Sequence, residues 1–459
     1  MTAVDGPSSD IRTQQALAAT PSLGRRWWST AAPYLAVKGT GQAAEMVGWV
    51  ILARRLGAHA FGILAVAALV CRYGGLIADW GASISGPREV AQGDMSGAVA
   101  ALDRRRRQSA LPLAVVYVAC CTITGHRDAA ILVTMLLSIG LNRDWVALGR
   151  ERGARSALPT FVQGTVLLAI AVAGPVSRPV LAASVAYGAS LLLSLLLNRI
   201  PRRVAGAHRV DGWMMMALLS NQVLSTADTF LLASLASASL AGIYAAVYRI
   251  PNGWLALLVI LRGGLLAMAT TTLRDDPQQF LRLRRSSLRW GVAGAVALVS
   301  AIPLAFIAIP VIFGPAYRSG QWPAVLLLLA TAIATAGAPL HHFFLAFGDD
   351  RRYGFYLLWA AVLNVAANLV LIPLAGMMGA ATATVLANAF LAAALWLGVR
   401  RRTREAGLFG LEAREPGGVR ARPGKTARSD GGGHPAWRPE LPASDALSTD
   451  GRSGRRIDA

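Results

Sequence analysis

Six ionisable residues of this sequence lie inside apolar stretches, where water is not available to solvate a charge. They are Lys38, Glu45, Arg72, Asp79, Asp228 and Arg249. A charge near the centre of a bilayer costs about 2.5 to 3.5 kcal/mol on insertion scales, so such residues are either functional or paired. The chemistry that these six residues offer is the reversible binding of ions, and we take all six as candidate substrate-binding residues.

Two of the cations have matching positions. Lys38 and Glu45 are seven residues apart on one face of a predicted helix, and Arg72 and Asp79 have the same spacing on the next helix. Counted from the predicted cytoplasmic edge, Lys38 and Arg72 are each about 12 Å deep. They could converge on one anion. The alternative is that they reach the inner surface, or pair with Glu45 and Asp79.

Asp228 and Arg249 form a second set, at similar depths toward the outer side. Two interpretations stay open: an ion pair that joins neighbouring helices, or a role in binding substrate. Pro251 follows Arg249 closely and predicts a break in that helix.

The motifs of covalent catalysis are not found in a fitting context. The sequence has no Walker A, HExxH, GxSxG or paired-carboxylate motif. Cys71, Cys120 and Cys121 lie in apolar runs without a CxxC spacing, which predicts no metal site and no disulfide framework. We therefore expect a protein that is not an enzyme and needs no cofactor, with coupling to a proton or sodium gradient left open.

The elements that position these residues follow from composition. The chain is 54% hydrophobic and 15% charged, so its net charge of +21 is confined to loops and ends, and binding of nucleic acid is not expected. Apolar runs of about 20 residues, each long enough to span a bilayer as a helix, predict an all-α polytopic membrane protein with twelve transmembrane helices. The runs lie near 31–53, 59–80, 108–125, 129–147, 157–175, 179–198, 212–235, 238–268, 289–312, 322–346, 353–375 and 378–399.

Basic residues alternate between the two sides of this scheme. The predicted outer loops hold only Arg54, Arg55, Arg127, Arg178 and Arg318. Because Lys and Arg collect on the cytoplasmic side, both termini are predicted to be cytoplasmic. The basic segments 94–107 and 276–290 are predicted to lie along the headgroup plane as amphipathic helices or to form solvated loops.

The chain also repeats at half length. LGAHAFGILAVA from Leu56 matches LASASLAGIYAAV from Leu235, and one inserted residue aligns Gly62 with Gly242. Six helices separate the copies, which predicts two six-helix lobes related by a pseudo-two-fold axis along the membrane normal. The predicted organisation is a cytoplasmic segment 1–29, a lobe 30–198, a cytoplasmic linker 199–211, a lobe 212–402 and a disordered cytoplasmic tail 403–459.

Three stretches resemble one family. RRLGAHAFGILAVAALV from Arg54, FGPAYRSG from Phe313 and NVAANLVLIPLAGMMGAATATVLAN from Asn364 are similar to segments of the polysaccharide and O-antigen (Wzx-type) flippases. These belong to the multidrug/oligosaccharidyl-lipid/polysaccharide (MOP) exporter superfamily. The resemblance covers about residues 30–400.

The resemblance implies a function. It implies a flippase that moves polyprenyl-diphosphate-linked oligosaccharides by rocking two lobes around a central cationic cavity, for polysaccharide biosynthesis. Lipid-linked oligosaccharide and membrane lipids would be its partners, with a polysaccharide polymerase and a chain-length regulator as further candidates. The alternatives are a multidrug or cation antiporter of the same superfamily, and a membrane component of polysaccharide assembly that does not transport. An antiporter for cations should have more cavity carboxylates than cavity cations, and the six candidates are evenly divided.

Overall fold

The computed structural model describes residues 23–91, 97–150, 152–174, 179–198, 200, 212–261 and 265–408. Over these ranges the chain is helical, with no strand, and makes twelve passes through a bundle of two six-helix lobes related by a pseudo-two-fold axis. This confirms the predicted fold class. The first lobe contains α1 (Leu23–Asp79), α2 (Ala82–Ala91), α3 (Ala98–Ile123), α4 (Val133–Leu141), α5 (Asp144–Gly149), α6 (Gly153–Ala173) and α7 (Pro179–Leu197). The second contains α8 (Gly212–Leu235), α9 (Ala238–Val247), α10 (Arg249–Leu261), α11 (Leu265–Asp275), α12 (Pro277–Ser300), α13 (Ile302–Phe313), α14 (Gln321–Ala346) and α15 (Asp350–Glu405).

Helix α1 is a hairpin of two passes. It turns at Gly57, whose φ of 74° and ψ of 170° suit a residue without a Cβ atom. The rings of Trp49 and Phe61 are 6.4 Å apart, although twelve residues of straight helix would span about 18 Å. Helix α15 turns in the same way at Gly376, with φ 53° and ψ −127°. Each of these helices therefore supplies two of the predicted spans.

The composition of the helices fits a membrane. By length and composition, 6 helices of the described chain could cross a bilayer, or up to 7 if α12 and α13, which meet at a bend of 55°, form one span. The predicted helix 238–268 is also broken, at Tyr248 between α9 and α10, and Pro251 lies in the first turn of α10. Proline is tolerated there because the first amide groups of a helix have no intrahelical acceptor. The break predicted from Pro251 is confirmed.

The basic segments 94–107 and 276–290 do not form separate interfacial elements. Residues 98–107 are the beginning of α3, and Asp103 and Arg106 are buried there. Residues 277–290 are the beginning of α12, which continues into the bundle. The loop interpretation was therefore wrong for the described parts of both segments, which are helical.

Two of the predicted boundaries fall inside helices. Helix α1 begins at Leu23, before residue 30, and α15 continues to Glu405, beyond residue 402. The N-terminal residues 1–22, nearly all of the linker 199–211 and the tail from 409 onward lie outside the described residues.

The two lobes share one buried core at the end of the bundle where α1 turns. We call this end the Gly57 face, and the opposite end the Asp79 face. Phe61 and Leu64 of the first lobe and Val247 and Tyr317 of the second belong to this shared core.

Toward the Asp79 face the cores are separate. One surrounds Leu102 and Trp145 in the first lobe, and another surrounds Phe280 and Phe343 in the second. Among the residues whose burial is described, no hydrophobic cluster joins the lobes at this end. The lobes therefore share a core at the Gly57 face and have separate cores toward the Asp79 face.

Candidate functional site

Arg72 lies where the two lobes meet, on the second pass of α1. Its side chain is exposed, and its Nε donates a hydrogen bond of 3.0 Å to Oε1 of Gln222 in α8. Beside it, the hydroxyls of Tyr73 and Thr226 are 2.9 Å apart and join the same two helices. One hydrogen bond, from the charged guanidinium to a neutral amide oxygen, thus holds an exposed cation between the lobes.

Arg249 begins α10, at the break in the eighth pass. Its guanidinium carbon is 4.5 Å from the centre of the Trp49 ring and 5.4 Å from that of Phe61, both in the other lobe. Contact with an aromatic face stabilises a cation and sets the plane of the guanidinium. Its Nε is buried without a hydrogen-bond partner. Arg249 therefore has a donor available for a ligand.

Glu45 is the carboxylate that belongs to this region. Its Oε1 accepts hydrogen bonds from the Tyr187 hydroxyl at 3.0 Å and from Trp49 Nε1 at 3.4 Å. Arg249 interacts electrostatically with Glu45, Tyr187 and Arg72. We call Glu45, Arg72, Tyr187, Gln222 and Arg249 the inter-lobe cluster. With two cations and one carboxylate, the cluster carries a net positive charge and suits an anion.

Asp79 is not part of this cluster. It is 2% exposed, and its Oδ1 is 2.7 Å from Nη2 of Arg106 in α3. Its Oδ2 accepts hydrogen bonds from the backbone amide and the hydroxyl of Ser83. Nearby, Asp103 holds Arg143 through two hydrogen bonds of 3.0 and 2.9 Å. The alternative considered from the sequence, a pairing of Arg72 with Asp79, is therefore not formed, because Asp79 pairs with Arg106 within the first lobe.

Lys38 has other neighbours than Arg72. Its Nζ donates to the Tyr34 hydroxyl at 2.7 Å, and it interacts electrostatically with Asp144 of α5. The small residues around it pack helices together: a Cβ on Gly41 would be 2.6 Å from Cα of Phe161 in α6. This stripe of α1 is therefore a packing surface at Gly41, and matched depth does not give Lys38 and Arg72 common partners.

Asp228 is enclosed within the second lobe and is 0% exposed. It accepts hydrogen bonds from the Tyr244 hydroxyl at 2.6 Å, the Thr384 hydroxyl at 3.2 Å and the Thr229 amide at 2.8 Å. All three donors are neutral and none is Arg249. The ion pair considered from the sequence is therefore not formed.

Several residues of the site escaped sequence reasoning. Gln222 and Thr226 are polar residues one turn apart in an apolar helix, a signal that could have been used. Arg106 stands in the run 104–107, which has the pattern of a solvated basic segment. Tyr187 has no signal of its own, because an aromatic residue in an apolar helix is ordinary.

The fold and the site together define a class: a two-lobe helical bundle with a polar cluster between its lobes. No family profile and no curated protein sequence matches the chain. Solved structures do match. An inward-facing multidrug resistance MATE family transporter of the MOP superfamily is 12% identical, with 83% of this chain and 99% of that chain covered and a TM-score of 0.61.

Two further structures give the same result. The MATE transporter VcmN of Vibrio cholerae, solved as a mutant, is 12% identical over 85% of this chain and 99% of that chain, with a TM-score of 0.56. A MOP superfamily transporter from Pyrococcus furiosus is 11% identical over 82% and 96%, with a TM-score of 0.55. The latter is described as having a binding pocket of reversed polarity that suggests a different function. The chain has the fold of the MATE transporters of the MOP superfamily.

Proposed function

We propose that this protein is a flippase that moves polyprenyl-diphosphate-linked oligosaccharides across the bacterial inner membrane by alternating access, for cell-surface polysaccharide biosynthesis. The observation that carries the proposal is the pair of arginines, Arg72 and Arg249, in the inter-lobe cluster. One of them is exposed and the other has a buried Nε without a partner. Such a pair favours an anionic ligand over a cationic one.

The six candidate residues are three cations and three carboxylates, and the surroundings of the carboxylates support an excess of positive charge in the cluster. Asp79 is neutralised by Arg106, and Asp228 is enclosed among neutral donors. Glu45 remains beside Arg72 and Arg249, and it already accepts two hydrogen bonds. A diphosphate is at least a dianion, and its transfer through hydrocarbon would be prohibitive without such partners. Guanidinium groups bind phosphate oxygens through charge-assisted hydrogen bonds.

The direction of access follows from the loops. The basic loops lie at the Asp79 face, so the positive-inside rule orients that face to the cytoplasm. The lobes have separate cores toward the same face, and we therefore interpret this state as open to the cytoplasm, with both termini on that side. Coupling to a proton or sodium gradient stays open. A polysaccharide polymerase and a chain-length regulator are proposed partners.

The main alternative is a multidrug or cation antiporter. It is favoured by Glu45, a half-buried carboxylate within the cluster, and by the description of one solved neighbour as a multidrug resistance transporter. Against it stands the positive charge of Arg72 and Arg249, which would repel a cationic drug. The Pyrococcus furiosus protein gives a precedent for a difference in pocket polarity within this fold.

Deletion of the gene tests the proposal. We expect lipid-linked glycan to accumulate on the cytoplasmic leaflet, measured by its protection from an impermeant glycosidase or lectin in intact spheroplasts. The wild-type gene should restore export. Arg318→Ala, which removes an exposed charge in the short 3-10 helix between α13 and α14, is the matched control and should restore it equally. Unchanged glycan together with hypersensitivity to cationic drugs would refute the flippase and support the antiporter.

A further inference from the structure

The tightest contact between the two lobes is a crossing of two glycines. A Cβ built on Gly62 of α1 would be 1.9 Å from the carbonyl oxygen of Ala238 at the start of α9. A Cβ built on Gly242 of α9 would be 1.9 Å from the carbonyl oxygen of Ala58. Non-bonded heavy atoms prefer about 3.5 to 4.0 Å, so the two backbones touch with no room for a side chain.

The crossing is reciprocal. Ala58 precedes Gly62 by four residues, and Ala238 precedes Gly242 by four residues. Two copies of one small-xxx-small motif, one from each lobe, are therefore in contact. These are the residues that align in the internal repeat. When two copies of a motif contact each other through equivalent atoms, the copies are related by a two-fold axis. The crossing therefore lies at the pseudo-two-fold axis that relates the lobes.

Further contacts between the lobes surround the crossing at the Gly57 face. The Tyr317 hydroxyl, buried in the second lobe, donates 2.7 Å to the carbonyl oxygen of Ala53. Arg54 of the first lobe reaches the carbonyl oxygen of Val311 at 3.4 Å. These hydrogen bonds go to backbone carbonyls, and the crossing itself is packing alone. Among the residues that the structure describes, no salt bridge joins the lobes at this face, so separation there would break packing and hydrogen bonds and would expose part of the shared core.

We propose that the crossing of Ala58–Gly62 with Ala238–Gly242 is the gate of the Gly57 face, closed in this structure, and that the absence of side chains on its two glycines is what allows closure. The proposal rests on the alternating access of the proposed function, but not on the identity of the substrate. An added methyl group at either glycine would hold the lobes apart at this face and favour the state that is open there.

Disulfide formation across the gate measures closure directly. His59 and Ser239 flank the crossing, with Nδ1 and Oγ 3.5 Å apart. In a background in which Cys71, Cys120 and Cys121 are replaced by alanine, His59→Cys with Ser239→Cys should form a disulfide under mild oxidation in membranes. Adding Gly62→Ala or Gly242→Ala should lower the yield about fivefold or more, because the population of the closed state falls. The matched control is Gly188→Ala, whose Cβ would meet nothing within 4 Å, and it should leave the yield unchanged.

A second measurement leaves both glycines in place. The oxidised pair should lock the gate, so that a cysteine at Asn221, an exposed residue of α8 beside Gln222, reacts with an impermeant thiol reagent in inside-out vesicles only. Reduction should restore reaction from both sides. An unchanged disulfide yield in both glycine variants, or reaction of Asn221→Cys from both sides while the disulfide is intact, would overturn the gate. Neither measurement uses a glycan. The gate proposal can therefore be refuted while the glycan test supports the flippase, and the flippase can be refuted while the gate proposal holds.

Discussion

At the scale of single residues, the two arginines of the inter-lobe cluster are held in different ways. Arg249 is fixed by the Trp49 ring at 4.5 Å, while its buried Nε stays unpaired. Arg72 is exposed and is held by one hydrogen bond to Gln222. Arg249 can therefore offer a ligand a guanidinium group whose orientation is already fixed. The guanidinium of Arg72 can move toward a ligand once its hydrogen bond to Gln222 is broken.

This difference predicts different effects of lysine at the two positions. We expect Arg72→Ala and Arg249→Ala each to lower glycan export about tenfold or more, the effect of losing a hydrogen bond to a charged group. Arg72→Lys should retain more activity than Arg249→Lys, because lysine keeps the charge but loses the flat group that stacks on Trp49. Export is measured by the leaflet assay at matched protein abundance. Lys38→Ala, whose side chain is bound to Tyr34, should have a smaller effect, and normal export in both arginine-to-alanine variants would exclude the anion site.

The buried pair of Asp79 and Arg106 predicts a structural phenotype instead. Asp79→Ala leaves Arg106, 1% exposed, without its counter-charge, and loss of one partner of a buried pair costs about 3 to 5 kcal/mol. We expect a strong fall in the thermal unfolding temperature of the purified protein. Replacing both residues, with Asp79→Ala and Arg106→Met, should recover much of the loss. Glu405→Ala, which breaks the surface contacts to Arg401 and Arg402, is the control and should leave the unfolding temperature nearly unchanged. Equal losses for Asp79→Ala and Glu405→Ala would contradict this assignment.

The candidate residues show how far the sequence alone leads at this scale. Hydropathy selected Arg72 and Arg249 as candidates, because an intramembrane charge is conspicuous in an apolar run, and the structure places both between the lobes. It could not show that Asp79 is neutralised, since its partner Arg106 is 27 residues away in a segment that has the composition of a loop. Partner choice depends on how helices pack, and a pattern of helical spacing within one helix does not contain that information.

At the scale of elements, the turns of α1 and α15 show the same limit. Hydropathy predicts the number of passes because a span needs about 20 apolar residues, whatever the turn between them. It cannot predict that one glycine is enough for each turn. Gly57 and Gly376 reverse the chain with positive φ angles and leave no loop, so the helices on either side begin and end almost at the same residue.

The turn at Gly57 predicts a position-specific cost of substitution. Gly57→Ala places a Cβ on a backbone with φ 74° and ψ 170°, a region that is almost restricted to glycine and costs other residues about 1 to 3 kcal/mol. We expect a lower thermal unfolding temperature, although nothing lies within 4 Å of the added atom. Gly39→Ala, which is in the helical part of α1 and equally uncrowded, is the control and should be neutral or stabilising. The same unfolding temperature for both variants would show that the turn can relax.

At the scale of the whole molecule, the lobes share a core at one end and have separate cores at the other. The shared core includes Phe61 and Tyr317, whereas Trp145 and Phe343 belong to separate cores. The sequence predicted the two lobes and their symmetry from a short repeat, but a repeat cannot show which end of the bundle is closed. That depends on a contact between the copies, here the crossing of Gly62 and Gly242, and the residues that make this contact are the same ones that revealed the repeat.

Orientation in the membrane is the property of the whole molecule that the arginines predict. Tyr317 is bound to Ala53 at the Gly57 face, so Arg318 lies at that face, and the order of passes puts Arg127 on the same side. We expect Arg127→Cys and Arg318→Cys, both at exposed positions, to react with an impermeant thiol reagent in intact cells, and a cysteine at 178 to do the same. Arg105→Cys, and cysteines at 203 and 284, should react only after the cells are permeabilised. The cysteine-free background is the control for native thiols. The twelve passes fix which loops share a side of the membrane. Labelling of Arg105→Cys in intact cells would therefore show that the whole molecule has the opposite orientation. The Asp79 face would then lie outside the cell, and the substrate would have to enter from there.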